Sequence, residues 1–184
     1  MVLTKTPICN FGEKADPFEL KGTDGKIHKL EDHLGKNGLL IMFICNHCPY
    51  VKAVIKDIVN DCKLMEKEGL KSIAIMSNDT KNYPEDSFEN MNKFHKNNHF
   101  NFPYLIDETQ EIAKKYDAVC TPDFFGYNGN LELQYRGRIR ELKDLKPVRG
   151  GESDLIKAMK LVAQTGKGPE NQIPSMGCSI KWFK

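Results

Sequence analysis

The sequence predicts an α/β protein of three layers, with helices covering both faces of one mixed central sheet. Apolar runs of strand length alternate with amphipathic helical segments through the middle of the chain. Strand–helix–strand connections of this kind favour parallel strands joined by right-handed crossovers. Asp-Gly and Asn-Gly sequences near either end of this region predict hairpins, which add antiparallel strands.

The first half of the chain supplies an N-terminal hairpin extension and the first strand–helix unit. Residues 17–30 predict a hairpin around the turn at 22–25. The apolar run 38–44 is typical of a strand buried on both faces. Apolar residues at helical spacing over 50–68 predict an amphipathic helix that ends at Gly69.

The second half repeats this alternation and closes with a hairpin and a helix. Strands are predicted at 72–76 and 104–106, and helices at 86–97 and 108–116. A two-residue turn at Asn128 and Gly129 should join strands at 123–127 and 131–135. Ser153 is expected to cap a last helix over 153–164.

Length and charge limit the classes of protein that the chain can belong to. The 184 residues fit one domain, 1–184, in which 167–184 form a C-terminal tail expected to fold back and bury Trp182 and Phe183. The 27 basic and 25 acidic side chains nearly balance, which argues against nucleic acid or an acidic membrane as a partner. Neither a membrane-spanning run nor a secretory signal is recognisable, so we expect a cytoplasmic location.

Cys45 and Cys48 lie where the buried strand is predicted to become a helix. Backbone N–H groups and the positive end of the helix dipole favour a thiolate there, which lowers a cysteine pKa. Two residues between the cysteines let one sulfur close onto the other as a reversible disulfide. An imidazolium on His47 would stabilise the reduced form and make the couple more oxidising.

A zinc site is the main alternative for this cysteine pair. Such sites need further ligands, and the sequence contains no second Cys-x-x-Cys. We therefore expect no metal, and keep a non-enzymatic metal-binding or redox-sensing module built on Cys45, Cys48 and Cys120 as a lesser alternative. No motif for haem, flavin or a nucleotide is present, so no cofactor is predicted.

Thr121 and Pro122, just before a strand-like run, carry a resemblance to the thioredoxin superfamily. In that superfamily a cis-proline before a core strand faces the Cys-x-x-Cys turn, so a thioredoxin-like fold is implied. The hairpin and the segments 43–51, 107–110 and 174–182 are similar to the redoxin branch, which groups peroxiredoxin-like proteins and thiol-disulfide oxidoreductases. Within it, these segments resemble a subgroup of largely uncharacterised thioredoxin-like proteins.

The chain also departs from the sequence motifs that are usual in thioredoxins and peroxiredoxins. Ile44 stands where thioredoxins usually have Trp, and 39–44 lack the buried acid of that strand. When the peroxiredoxin motif is aligned on Cys48, Cys45 takes its Thr position and Ile41 its Pro position. A peroxide-activating arginine has no clear match near Pro122.

These observations predict a thiol-disulfide oxidoreductase, with a thiol-dependent peroxidase as the alternative. Cys45 is expected to be the more exposed sulfur and to attack a protein or small-molecule disulfide, and Cys48 to resolve the mixed disulfide. The resemblance implies that Thr121 and Pro122 shape the substrate groove, where backbone groups would pair with an extended peptide. A cellular thiol would be the reductant, and the accessory thiols to consider are Cys120 and Cys178.

Overall fold

The computed structural model describes residues 2–184, and its elements follow the predicted alternation of strands and helices. The helices are α1 (Pro49–Lys67), α2 (Phe88–Asn97), α3 (Glu111–Lys115) and α4 (Asp154–Thr165). The strands are β1 (Leu3–Lys5), β2 (Glu19–Gly22), β3 (Ile27–Lys29), β4 (Gly38–Phe43), β5 (Leu70–Met76), β6 (Tyr104–Ile106), β7 (Cys120–Thr121), β8 (Asp123–Asn128), β9 (Leu133–Arg136), β10 (Leu142–Lys143), β11 (Lys146–Pro147) and β12 (Met176–Ser179).

Seven strands form the central sheet in the order β3-β2-β6-β5-β4-β8-β9. Strands β4, β5 and β6 are parallel, whereas β8, β9, β2 and β3 are added antiparallel. The predicted mixed sheet is therefore confirmed, and the N-terminal hairpin extends one of its edges through the β2–β6 pairing.

The two faces of β4 separate the core into two clusters, because successive side chains of a strand point to opposite faces. Leu40 and Met42 pack in the cluster that contains residues of α1, α2 and α4. Leu39 and Ile41 pack in the other cluster, which contains residues of α3. Helices therefore cover both faces of the sheet, giving the three predicted layers.

The C-terminal segment folds back and contributes the middle strand of a small second sheet, ordered β1-β12-β7. The expectation that its aromatic rings become buried is wrong, since Trp182 is 39% and Phe183 45% exposed. Hydrogen bonds between the Gln110 side chain and the backbone of the segment hold it instead. The Gln110 amide donates to the Lys181 carbonyl oxygen at 2.8 Å, and the Phe183 N–H donates to the Gln110 Oε1 at 2.8 Å.

The structure differs from the predicted boundaries at the β8–β9 turn and at the start of α3. The β8–β9 turn is wider than two residues, because the Asn128 Oδ1 accepts from the backbone N–H groups of Asn130 and Glu132. Helix α3 begins only at Glu111, since Gln110 has a left-handed backbone with φ of 64°. Among the helices within 2–184, none has the length and apolar character needed to cross a bilayer.

Candidate active site

Cys45 and Cys48 lie in the short loop between β4 and α1, as the sequence predicts. Cys48 is the N-cap residue of α1, and Pro49 takes the first helical position, where its missing N–H costs nothing. Cys45 is 1% and Cys48 0% exposed, so both sulfurs are buried and the expected difference in exposure between them is very small. Both thiols are enclosed because β7 and β12 pack against the loop that carries them.

Thr121 and Pro122 lie beside these sulfurs and are joined by a cis peptide bond. Antiparallel pairing of β4 with β8 brings them there, because Phe43 is in register with Asp123. The Thr121 Oγ1 lies 3.4 Å from the Cys45 Sγ. The Cys48 Sγ lies 3.2 Å from the Thr121 carbonyl oxygen.

Cys178 brings a third sulfur to the site, with its Sγ only 2.9 Å from the Cys48 Sγ. It is carried by β12, whose antiparallel pairing with β7 sets Cys178 opposite Thr121. Cys120 is also buried, but its thiol donates to the Pro122 carbonyl oxygen at 3.7 Å. Of the two accessory thiols considered from the sequence, Cys178 is therefore the one in contact with Cys48.

The electrostatics of the site favour a thiolate on Cys48. Hydrogen bonding from Cys45 lowers the pKa of the Cys48 thiol, and Cys178, the Val51 N–H and Thr121 add to this effect. The same hydrogen bond raises the pKa of Cys45 well above its ordinary value, as do burial and the nearby charge of Asp86. The thiolate expected on Cys45 from the sequence is thus favoured instead on Cys48, the N-cap residue of α1, by these pKa directions.

His47 is held by a carboxylate that the sequence analysis missed. Its Nδ1 lies 2.6 Å from the Asp86 Oδ2 and 4.0 Å from the Cys45 Sγ. Hydrogen bonding to Asp86 raises the pKa of His47. The imidazolium charge that was expected to stabilise a thiolate is therefore paired with Asp86.

Asp86 is fully buried, and both of its oxygens accept hydrogen bonds. The Asn46 N–H donates to Oδ1 and the Asn78 amide to Oδ2, each at 2.8 Å. It ends a 3₁₀ turn before α2, so its position gave no sign of a site nearly 40 residues back along the chain. The only signal in the sequence is that β4 lacks a buried acidic residue, which indicates that another segment could supply the carboxylate.

Cys45, His47 and Asp86 are the one set within 2–184 whose donor atoms lie close enough, within 4.8 Å, to hold a metal ion. Zinc accepts these donor types. However, the His47 Nδ1 and both Asp86 oxygens already take part in hydrogen bonds to one another or to Asn46 and Asn78. Cys120 is outside this set, so the metal-binding module with Cys45, Cys48 and Cys120 is not the arrangement found.

A cavity of about 250 Å³ opens beside Pro122. Its walls include Tyr50, Ile139 and Met176, together with the basic side chains of Lys5 and Arg138. The backbone of Thr121, expected to pair with an extended substrate, is instead paired with β12 of the same chain. The cavity therefore gives access to the cis-proline at a place that β12 does not cover.

Buried cysteines at a strand–helix junction, beside a cis-proline that precedes the neighbouring strand of a mixed sheet, define a thiol redox protein of thioredoxin-like fold. Residues 11–142 match the model of the AhpC/TSA family, and the chain belongs to that family. Its oxidoreductase chemistry is that of cysteine thiols.

Solved structures of several proteins share this fold. An uncharacterized conserved protein from Geobacillus kaustophilus is 40% identical, with a TM-score of 0.93 over 100% of this chain and 97% of its own. A hypothetical protein from Sinorhizobium meliloti 1021 is 33% identical, with a TM-score of 0.88 over 97% of each chain. A putative protein disulfide isomerase from Bacteroides thetaiotaomicron, at 19% identity, has a TM-score of 0.66 over 90% of this chain and 96% of its own, and shares the fold. Curated protein sequences give no significant match.

Proposed function

We propose that the protein is a thiol-disulfide oxidoreductase whose redox pair is Cys45 and Cys48. The observation that carries this proposal is the hydrogen-bonded pair of thiols at the N-terminus of α1, next to Thr121 and the cis-Pro122. One proton shared between two sulfurs leaves one of them as a thiolate, and the thiolate is the nucleophile in disulfide exchange.

The lowered pKa of Cys48 supports the opposite order of attack from the one expected from the sequence. The Cys48 thiolate attacks a substrate disulfide, one substrate sulfur leaves as a thiolate, and a mixed disulfide forms on Cys48. Cys45 then loses its proton, attacks the Cys48 sulfur and displaces the second substrate thiolate. His47, whose imidazolium is held by Asp86 beside Cys45, stabilises the thiolate that forms there, and the departing substrate thiolate takes up the proton.

The cavity beside Pro122 is the proposed entry for a protein or small-molecule disulfide, because β12 covers the Thr121 backbone. A cellular thiol would return the Cys45–Cys48 disulfide to its reduced form. Such a cycle suits a reducing compartment, and we retain the cytoplasm as the proposed location.

Thiol release from a peptide disulfide tests both the function and the roles of the cysteines. Wild-type protein should release two substrate thiols per chain, whereas Cys48→Ser should release none. Cys45→Ser should still release the first thiol, because Cys48 makes the attack. Release that survives in Cys48→Ser and disappears in Cys45→Ser would restore the order expected from the sequence. A wild-type protein that releases no thiol would refute the function.

A thiol-dependent peroxidase is the second candidate, favoured by the lowered pKa of Cys48. Cys48 is also the residue onto which the peroxiredoxin cysteine aligns. A peroxidase would oxidise Cys48 to a sulfenic acid, which condenses with Cys45 to a disulfide and water. Reduced protein should therefore be mixed with one equivalent of hydrogen peroxide, quenched with an alkylating agent and mapped by mass spectrometry. Oxidation within seconds would favour the peroxidase, and thiols that stay reduced for minutes would favour the oxidoreductase.

A further inference from the structure

The strand β12 occupies the position next to the cis-proline where the resemblance led us to expect a bound peptide. It pairs antiparallel with β7, with Cys178 opposite Thr121 and Ser179 opposite Cys120. Adding a strand to a sheet edge is a general mode of peptide recognition, in which backbone hydrogen bonds provide affinity. Here the chain itself supplies that strand, and the strand carries a cysteine.

The backbone of β12 lies unusually close to its neighbour, which fixes where Cys178 points. A Cβ atom added at Gly177 would lie 2.0 Å from the Thr121 carbonyl oxygen, so the close approach requires glycine. The Ser175 hydroxyl donates to the Pro122 carbonyl oxygen at 2.8 Å. Downstream, the Lys181 N–H donates to the Asn78 Oδ1 at 2.9 Å.

We propose that Cys178 is a third redox-active residue of the site, able to form a disulfide with Cys48 in place of Cys45. The inference rests on the proposed exchange reaction at Cys48. With the two sulfurs 2.9 Å apart, bond formation requires an approach of only about 0.9 Å. Cys120, the other accessory thiol, donates to the Pro122 carbonyl oxygen instead.

The reaction balances without any further reagent. After Cys48 has taken one substrate sulfur into a mixed disulfide, the Cys178 thiol loses its proton and attacks the Cys48 sulfur. The bond between Cys48 and the substrate breaks, and the substrate sulfur leaves as a thiolate that takes up a proton. Cys48 and Cys178 are oxidised together, and the substrate disulfide is reduced to two thiols.

The protonation of Cys178 is consistent with this sequence of steps. Burial raises its pKa to about 12, and its hydrogen bond with Cys48 contributes to the shift. Cys178 thus remains a thiol donor while Cys48 is a thiolate. Once Cys48 is in a mixed disulfide its negative charge is gone, and the part of the shift due to Cys48 disappears.

Glutathione disulfide is a suitable probe, with the wild type, Cys45→Ser and Cys45→Ser combined with Cys178→Ala compared by intact mass and peptide mapping. Cys45→Ser should lose its glutathione adduct and gain a Cys48–Cys178 disulfide. The double variant should keep the adduct on Cys48. Cys62→Ser is the control for removal of a buried thiol that lies outside the site.

The outcomes separate this inference from the function on which it rests. If the wild type forms the Cys45–Cys48 disulfide while Cys45→Ser keeps its adduct, only the role of Cys178 is refuted. If the wild type does not react, the proposed function and this inference both fail. Cys45→Ser retains Cys178, so direct mapping of its disulfide decides the matter even if the Cys178→Ala change unfolds the double variant.

Discussion

Single residues set the chemistry of the site through the hydrogen bonds of one sulfur. The Cys48 sulfur lies at the helix N-terminus and contacts two other thiols, Cys45 and Cys178. A thiolate in this position accepts several hydrogen bonds at once, and bonds to the charged form lower a pKa. The reactivity of Cys48 therefore depends both on Cys45, in the same loop, and on Cys178, which lies 130 residues further along the chain.

We predict that one thiol of the protein titrates well below the ordinary cysteine value of 9.0. The ultraviolet absorbance of the thiolate, followed against pH, should show this transition in the wild type and lose it in Cys48→Ser. Cys178→Ala should keep the transition at a higher pH, because one hydrogen-bond donor is removed. Burial raises the pKa of Cys62 to about 12, so Cys62→Ser should leave the transition unchanged. A transition that persists in Cys48→Ser would contradict the assignment.

Asp86→Asn should lower the pKa of His47 toward its ordinary 6.5, because the hydrogen bond to the carboxylate raises it. A raised histidine pKa stabilises the fold below the unfolded value, and this contribution is lost as pH rises through the folded pKa. The variant should therefore lose the most stability at acidic pH, by about 1–3 kcal/mol.

Nuclear magnetic resonance titration of His47 and denaturation at two pH values would measure both effects of Asp86→Asn. Glu85→Gln is the matched control, because Glu85 is the exposed acidic neighbour and contributes least to the His47 shift. Equal shifts in the two variants would mean that general negative charge, rather than the Asp86 hydrogen bond, sets the His47 pKa.

Among the elements, β12 has only four residues but brings Cys178 to the Cys48 sulfur. It connects β1 to β7, and so links the N-terminal strand to the cis-proline segment. Its close packing at Gly177 leaves no space for a side chain. Displacement of this strand should consequently destabilise the fold and move Cys178 away from Cys48.

Gly177→Ala should destabilise the protein by about 1–3 kcal/mol, because the new methyl group must push β12 away from Thr121. The same displacement should move Cys178 from Cys48 and raise the pKa of Cys48. Denaturant unfolding and the thiolate titration would measure the two effects. Met176→Ala is the control in the same strand, since Met176 is 36% exposed. A glycine variant as stable as this control would show that the close approach has no energetic consequence.

At the scale of the whole molecule, local patterns predicted the layers but not the contacts between distant segments. The apolar run of β4, the amphipathic α1 and the Ser153 cap each carry their signal within a few residues, and each is found as expected. Strands β1, β7 and β12 were not predicted, because they are short and pair across long stretches of sequence. Asp86 was missed for the same reason, and Cys178 was named only as one of two accessory thiols to consider, since only the folded chain brings both residues to the loop of Cys45 and Cys48.

The separation of Cys48 from Cys178 also has a consequence for biosynthesis. Cys178 is 130 residues further along the chain, so a ribosome exposes the Cys45–Cys48 pair well before it makes β12. Because synthesis runs from the N-terminus to the C-terminus, the nascent pair passes through an interval in which Cys178 has not yet been made. An oxidant present in that interval would join Cys45 to Cys48 before Cys178 arrives. The order in which the cysteines are synthesised would thus determine which disulfide a newly made molecule carries first.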